Sequence, residues 1–241
     1  MISPPAHPPT AGALTWLSRV SRSPLREHFV LRGGMLTATW VPGRRANDVD
    51  HVLIGDAWTI ERTEAAARSL LGDDAASTTF TVIWAETEWP GLRLTLADHT
   101  QIDLAWGDPL IAPPAPLSLG GIDLLAVRPE LMIGWKTHSL VERGPRGRWH
   151  ARTLADLVLI PRHVTLDRAL TRQAIEIAFT SRHMHPRDLD GFFDDPTWGG
   201  SRGSRGRWKS YRNASPWVDF PLDQALAEAR AFLTPLLRGP V

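Results

Sequence analysis

Apolar residues occur in short blocks along the first half of the chain, separated by glycine, proline and aspartate. These blocks predict strands at 29–31, 48–55, 78–86, 92–96 and 101–106. Apolar residues at helical spacing predict a helix within 12–20, and an Ala- and Glu-rich segment predicts another over 59–71, ended by Gly72. The first half is therefore expected to form an α/β domain.

The second half has a different pattern, in which helical spacing dominates. It predicts helices at 129–143, 153–160, 167–181 and 222–237. A proline-rich stretch at 109–116 interrupts the strand pattern, and a stretch rich in Gly, Ser and Arg at 199–213 predicts a long loop. We place a boundary near Val127, with an α/β domain at 1–127 and a mainly helical C-terminal domain at 128–241.

Composition narrows the classes of protein that are possible. The 241 residues include no cysteine, which excludes disulfides, iron–sulfur clusters and thiolate zinc sites. No apolar run is long enough to span a bilayer, and residues 1–10 lack the pattern of a signal peptide. We therefore expect a cytoplasmic protein without a membrane partner. The formal net charge of +1 does not by itself indicate a nucleic-acid partner.

The chemistry is indicated by a glycine pair that is followed by two carboxylates. Gly33 and Gly34 come directly after a predicted strand, and Asp48 and Asp50 lie in the next one. Residues i and i+2 of a strand share a face, so the two carboxylates should project together and repel each other unless a cation lies between them. Oxygen ligands of this kind suit Mg²⁺ (or Mn²⁺), and glycine N–H groups at a helix start near Met35 could bind phosphate.

A third carboxylate, Asp103, lies in the alternating strand 101–106. If this strand neighbours the one with Asp48 and Asp50, three carboxylates converge in a way that suits two-metal catalysis, in which Asp103 helps to deprotonate an acceptor hydroxyl. Taken alone, a Gly-Gly pair is common in turns and an Asp-x-Asp pair is often a solvated strand edge. The ordered combination favours a functional site.

Two groups in the second half are further candidates. Lys136 shares a helical stripe with the apolar Met132 and Leu140, and could either extend past the edge of the core or neutralise a triphosphate. Asp156 precedes an apolar run, and its simplest alternative role is an ion pair with Lys136 or Arg152.

Basic residues form two clusters that could contact RNA or nucleotide phosphates. In the first, Trp208 and Tyr211 are interleaved with Arg205, Arg207, Lys209 and Arg212. Guanidinium groups bind phosphates and aromatic rings stack on unpaired bases, but a solvated flexible loop accounts for this composition equally well. The second cluster comprises Arg143, Arg146, Arg148 and Arg152.

The motifs together resemble those of the AbiEii nucleotidyltransferase toxins, which belong to the polymerase-beta-like class. The segment FVLRGG at 29–34, followed by RRANDVD at 44–50, resembles the family's opening motif. IDLAWGDP at 102–109 is similar to its third-carboxylate strand, PEL at 129–131 with Lys136 and Arg143 to its lysine-bearing helix, and LADL at 154–157 to its last acidic motif. The resemblance runs in order from Phe29 to Ile160.

The resemblance implies a nucleotidyltransferase mixed-sheet domain followed by a helical domain. It implies that Asp48 and Asp50 bind metal, that Lys136 contacts the phosphates of a nucleoside triphosphate and that Asp156 completes the pocket. By the same resemblance Gly33, Gly34, Arg45 and Arg143 contact the nucleotide. Met35 and Thr153 depart from the family pattern, which usually has a small hydroxyl residue and an acidic residue there.

The expected function is that of a toxin with a possible antitoxin partner, which transfers nucleotides to an RNA acceptor such as the 3′ end of tRNA and so blocks translation. Two alternatives stay open at this stage. One is a nucleotidyltransferase that modifies small molecules such as antibiotics, and the other is a non-catalytic binding module with the same fold.

Overall fold

The computed structural model of the chain describes residues 9–55, 57–142 and 149–238. The chain divides into two compact units, one ending at Arg128 and the other beginning at Pro129. In the described residues, no helix is long and apolar enough to cross a membrane.

The first unit combines helices with a seven-stranded mixed sheet. Its elements in chain order are α1 (Ala11–Arg22), β1 (Phe29–Arg32), α2 (Gly33–Trp40), β2 (Val49–Leu53), α3 (Ile60–Leu71), β3 (Thr79–Ile83), β4 (Gly91–Thr95), β5 (Gln101–Trp106), β6 (Ala115–Leu119) and β7 (Ile122–Ala126). The strands lie in the order β3-β4-β5-β2-β1-β7-β6. The pairs β2–β5 and β1–β7 are parallel and the other pairs are antiparallel. The α/β class expected from the sequence is confirmed.

Side-chain caps and buried stripes determine where the helices of this unit begin and which face they bury. The Thr10 hydroxyl accepts a hydrogen bond from the amide of Ala13, and the Thr59 hydroxyl accepts one from the amide of Arg62. On α1 the buried residues Ala13, Trp16, Leu17 and Val20 follow helical spacing and form one stripe.

Strands β6 and β7 were not predicted, because the prolines of this stretch argued against strands. Pro116 lies within β6, which among the described strands pairs only with β7 at the edge of the sheet, where a missing N–H donor is tolerated. Gly120 and Gly121 connect the two strands, and both have positive φ angles of 59° and 83°. A two-residue hairpin turn requires such angles, so the Gly-Gly pair between alternating apolar residues was the available signal.

The second unit is helical in its described residues. Its elements are α4 (Pro129–Val141), α5 (Ala151–His163), α6 (Arg168–Thr180), α7 (Asp190–Asp194), α8 (Arg202–Ala214) and α9 (Leu222–Leu237). The four helices predicted from the sequence match α4, α5, α6 and α9.

The prediction of a long loop over 199–213 was wrong, because most of this stretch forms α8. Ser201 caps the helix by accepting a hydrogen bond from the amide of Ser204. Trp208 is buried, its ring centroid lies 5.9 Å from that of Phe220, and its indole N–H donates to the Phe220 carbonyl. Tertiary packing of one tryptophan therefore outweighs the low helix propensity of the glycines and serines in this segment.

Candidate active site

The turn between β1 and α2 depends on Gly33, whose φ of 74° lies in the left-handed region that favours glycine. A Cβ atom on Gly33 would overlap the carboxylate of Asp50. The amide N–H of Gly34 donates to the same carboxylate, with 3.4 Å between its nitrogen and Oδ2. The N-terminus of α2, the positive end of the helix dipole, therefore lies against Asp50. Contact of these glycines with a phosphate stays a prediction.

The three predicted carboxylates lie on or beside two adjacent strands. Asp50 is half-buried in β2, and Asp103 in β5 is its partner in the parallel register. Register partners in neighbouring strands share a face and lie about 4.8 Å apart, so the two side chains are neighbours. Asp48 is exposed and immediately precedes β2. The adjacency of strands on which the predicted convergence depended is thus present.

Arg93 on β4 is the cross-strand partner of Asp103 on the other side of β5. Its Nε and Nη2 atoms donate to Oδ1 and Oδ2 of Asp103, both at 2.7 Å. These hydrogen bonds raise the pKa of the guanidinium above its ordinary value, against the opposing effect of burial, and the charges of Asp103, Asp48 and Asp50 raise it further. Arg93 is therefore a counter-charge for all three carboxylates.

The donor set fits a magnesium ion held by two protein carboxylates. Among the described residues, no group of three or more acidic or histidine side chains is arranged as a cation cage. Mg²⁺ is usually bound through one or two carboxylates, with waters and substrate phosphates as the other ligands. Asp48 and Asp50 meet that requirement, whereas both oxygens of Asp103 are hydrogen-bonded to Arg93.

A buried arginine lies beside the glycine turn. Arg44 is only 2% exposed, and a Cβ atom on Gly34 would lie 3.5 Å from its Nη2 atom. Its Nη1 atom donates to the carbonyl of Arg45, and the side chain of Arg45 itself is exposed. Arg45 was predicted from the sequence to contact the nucleotide, and the guanidinium of the preceding residue, Arg44, lies next to Gly34.

In the second unit, Lys136 on α4 and Asp156 on α5 form an ion pair. The distance from Lys136 Nζ to Asp156 Oδ2 is 2.6 Å, and the exposed fractions of the two side chains are 14% and 0%. The ion pair considered as an alternative role for Asp156 is therefore present. Its geometry also fixes the position of the ammonium group, so the pair is compatible with a phosphate-binding role for Lys136.

Comparison with known protein families decides the identity of the chain. The profile of the family described as "Nucleotidyl transferase AbiEii toxin, Type IV TA system" matches residues 15–228. The chain belongs to the AbiEii family. This nucleotidyltransferase assignment confirms the resemblance seen in the sequence motifs, and the match extends well beyond the span from Phe29 to Ile160 on which that resemblance depended.

Solved structures similar to this AbiEii nucleotidyltransferase share little sequence with it. They include a candidate nucleotidyltransferase of Helicobacter pylori (14% identity, 94% of this chain and 92% of that one, TM-score 0.44). JHP933 from the same organism (16%, 96% and 94%, TM-score 0.42) and an antigenic nucleotidyltransferase-like protein of Paracoccidioides brasiliensis (17%, 77% and 94%, TM-score 0.45) are also similar. No curated protein sequence matches the chain. The assignment therefore rests on the family match.

The second predicted basic cluster of this AbiEii protein is only partly described. Arg143, Arg146 and Arg148 lie outside the described residues. Arg152 lies exposed in the first turn of α5, and the departing residue Thr153 next to it is buried. The other departing residue, Met35, is buried within α2.

Three of the four residues predicted to bind RNA share one face of α8. Arg205, Lys209 and Arg212 follow each other at intervals of four and three residues, beside the buried Trp208, which lies four residues before Arg212. They line an open groove of 650 Å³. Arg205 forms an exposed ion pair with Asp223 at 3.0 Å, and Arg212 donates to the carbonyls of Val218 and Asp219.

Arg207 lies on another side of the same helix. Its guanidinium lies 6.0 Å from the ring centroid of Trp149, and it donates to the hydroxyl of Ser204. The predicted set of four cations is therefore divided, with three on the groove and one near Trp149.

Sequence reasoning missed Arg93, although a signal was present. Arg93 lies between Leu92 and Leu94, and Asp103 lies between Ile102 and Leu104, so each strand has one charged residue between two buried apolar ones. Opposite charges at the centres of two consecutive strands of a hairpin are typical of a cross-strand pair. The register that brings them together depends on the turn, which the pattern alone does not specify.

Proposed function

We propose that this AbiEii-family nucleotidyltransferase is the toxin of a toxin–antitoxin pair. It transfers a nucleotide, in the presence of Mg²⁺ or Mn²⁺, from a nucleoside triphosphate to an RNA acceptor, such as the 3′ end of tRNA, and thereby blocks translation. The family to which the chain belongs supports the toxin role and the possible antitoxin partner.

The observation that carries the proposal is the position of Asp50. Its carboxylate lies against the N-terminus of α2 and beside Asp103, and Asp48 is two residues away. Negative charge is thus concentrated where a helix dipole and a glycine turn favour anions. A site built in this way suits a divalent cation bound together with a triphosphate.

The proposed reaction is a nucleotidyl transfer. The oxygen of an acceptor hydroxyl attacks the α-phosphorus, the new phosphodiester bond forms and the bond between the α- and β-phosphates breaks. Pyrophosphate leaves with its electron pair, and the proton of the hydroxyl passes to a carboxylate of the Asp48, Asp50 and Asp103 group. Asp48 and Asp50 would hold the metal ion, which when bound neutralises phosphate charge and lowers the pKa of the attacking hydroxyl.

Lys136 is proposed to contact the phosphates of the nucleotide, and Asp156 to position it. Lys136 is one of only two lysines in a chain with 27 basic residues of Lys and Arg type, the other being Lys209. Lysine presents a compact point charge, which an arginine fork does not reproduce, so its use here supports a specific role. Gly33, Gly34, Arg45 and Arg143 remain the other proposed nucleotide contacts.

The cationic face of α8 supports RNA as the acceptor. The helix contains no acidic residue, and Arg205, Lys209 and Arg212 line one groove. Such a surface attracts a phosphate backbone, whereas a small-molecule acceptor gains nothing from it. Arg207 is proposed to contribute to RNA binding from the other side of the helix.

The experiment is to incubate the purified protein with Mg²⁺, total tRNA and each nucleoside triphosphate labelled at the α-phosphate. Label is expected on tRNA with at least one of the four nucleotides, and not with the Asp50→Asn variant. In cells, induced expression of the wild-type chain should arrest growth, and expression of Asp50→Asn should not.

Two other results would contradict an RNA acceptor or catalysis itself. Label on an added small-molecule acceptor but on no RNA would indicate the antibiotic-type activity instead. Absence of triphosphate binding would contradict catalysis altogether.

A further inference from the structure

The Arg93–Asp103 pair lies at the centre of the carboxylate cluster. Arg93, Asp103 and Asp50 occupy one row across β4, β5 and β2, because Asp103 is the register partner of both other residues. Three charged side chains on one face of adjacent strands interact strongly, since register partners lie about 4.8 Å apart. The row has the charge order positive, negative, negative.

The fork geometry of this pair uses both oxygens of Asp103. The two donor–acceptor distances are 2.7 Å each, and the Asp103 side chain is only 11% exposed. A bidentate, charge-assisted pair of this kind is among the stronger interactions available to a carboxylate. A metal ion bound to Asp103 in addition would lie within a few ångströms of a guanidinium and be repelled by it.

We propose that Arg93 is a positioning residue whose guanidinium binds both oxygens of Asp103, in the place that a second metal ion would otherwise take, so that Asp48 and Asp50 form the protein's metal-binding pair. The inference rests on the proposed function for the metal at Asp48 and Asp50. It specifies the role of Asp103 more closely: the carboxylate is held by Arg93 and balances the positive charge of the guanidinium, and it does not ligate a metal ion.

The arrangement also accounts for the stability of the cluster before any cation binds. Three carboxylates on one face would repel one another, and Arg93 lies within electrostatic reach of all three. Replacing Arg93 by a residue without a guanidinium leaves the buried Asp103 without this partner, and the two carboxylate oxygens of Asp103 lose their hydrogen bonds to it. The freed carboxylate would then become a third ligand for a divalent ion.

The test measures Mn²⁺ binding by the metal-free full chain, without nucleotide or acceptor, using calorimetry and the Mn²⁺-dependent rise in melting temperature. Four variants are compared with the wild type: Asp50→Asn, Arg93→Gln, the double variant Arg93→Gln/Asp103→Asn, and Arg68→Gln as control. Arg68 is also on the first unit and pairs with Glu64 at the surface, at 2.7 Å. The double variant keeps the net charge of the wild-type pair and replaces it by two amides.

Arg93→Gln is expected to bind Mn²⁺ about tenfold more tightly than the wild type, because Asp103 becomes available as a ligand. The double variant is expected to return to within about threefold of the wild type, and Arg68→Gln to be unchanged. Asp50→Asn is expected to lose at least about tenfold in affinity. Without metal, Arg93→Gln should melt at a lower temperature than the double variant.

Two results would overturn the inference. One is a double variant that loses Mn²⁺ affinity as severely as Asp50→Asn, which would make Asp103 a metal ligand in the wild type. The other is an Arg93→Gln variant that folds and binds Mn²⁺ no better than the wild type. If Arg93→Gln does not fold, the double variant alone decides.

Failure of the proposed function has a different signature, namely no transfer of label by the wild type. A wild type that binds no Mn²⁺ would remove the metal from the proposed function. That result would also overturn this inference, because Asp48 and Asp50 would then not form a metal-binding pair, whereas a wild type that binds Mn²⁺ but transfers no label would contradict the proposed function alone.

Discussion

The backbone of Gly33 lies directly against the carboxylate of Asp50, with no room for a Cβ atom between them. Gly33 also has a positive φ of 74°, so two independent constraints require glycine at this position. Gly34, the next residue, has neither constraint, since a Cβ atom there would make only ordinary contacts at 3.5 Å or more.

The first prediction follows from this difference. Gly33→Ala should lower the free energy of unfolding by about 1–3 kcal/mol through backbone strain, and should displace the Asp50 carboxylate. Nucleotidyl transfer is expected to be lost, because the metal pair is disrupted. The matched control Gly34→Ala should fold with near wild-type stability. Equal effects of the two substitutions on the free energy of unfolding, measured in urea, would contradict this account.

The second prediction concerns the Lys136–Asp156 ion pair. Asp156→Leu should destabilise the chain by about 3–5 kcal/mol, because it leaves the Lys136 ammonium largely buried without its partner. The double variant Lys136→Met/Asp156→Leu should recover most of this stability but not the transfer activity.

Urea unfolding and the transfer assay together check this prediction. The exposed pair Arg172–Glu176 is the control, because Arg172→Met should change the stability by less than about 1 kcal/mol. A double variant with restored activity would show that the pair is purely structural.

Much of the fold was predictable from the sequence, because the spacing of the apolar residues and the length of each segment indicated the same type of element. Strand β5 has the predicted bounds of 101–106, and α9 has the predicted bounds of 222–237. In contrast, β6 contains a proline and α8 contains two glycines, so local propensity argued against both elements. Edge position in the first case and packing of Trp208 in the second decided the outcome, and neither is a local property.

Part of the candidate site was also predictable from the sequence. Asp50 and Asp103 could be placed together because parallel strands of an α/β sheet bring equivalent positions side by side. The pairing of Asp103 with Arg93 could not, since it depends on the register of the β4–β5 hairpin. That register follows from the geometry of the turn near His99, whose φ is 64°.

The third prediction is that the free energy of unfolding depends on pH through His51. The residue is fully buried, and the Trp16 indole N–H donates to its Nε2 atom at 3.1 Å, which requires a neutral ring. Burial, the largest cause, lowers the pKa of His51 to about 3 from its ordinary 6.5. Between these two values the unfolded chain binds a proton that the folded chain does not.

His51 should therefore lower the free energy of unfolding by about 1.4 kcal/mol for each pH unit as the pH drops from 6.5 towards 3. Chemical denaturation in EDTA at a series of pH values measures the slope. His51→Asn keeps an acceptor for Trp16 but does not titrate, so its slope should be shallower. The matched control is His99→Asn, which removes an exposed histidine instead of a buried one. A His51→Asn chain with the wild-type slope would contradict the assignment.

The fourth prediction concerns the groove face of α8. Replacing Arg205, Lys209 and Arg212 together by glutamine should raise the KM for tRNA and reduce its dependence on salt, because fewer cations contact the phosphate backbone. Mn²⁺ binding and the melting temperature should change little. The control variant carries the same replacements at the exposed residues Arg168, Arg172 and Arg187 of the same unit.

A control triple variant with the same rise in KM for tRNA would indicate a general charge effect rather than a specific binding surface. An unchanged KM in the α8 variant would exclude this face as the RNA-binding surface.

The most direct test of the central claim compares two positions of the label in the nucleoside triphosphate. The wild-type chain with Mg²⁺ and total tRNA should transfer an α-phosphate label to RNA and release a γ-phosphate label as pyrophosphate. The Asp50→Asn variant should do neither. A γ-label that moves to the acceptor, or an α-label that stays in the triphosphate for every nucleotide and acceptor tried, would contradict nucleotidyl transfer by this site.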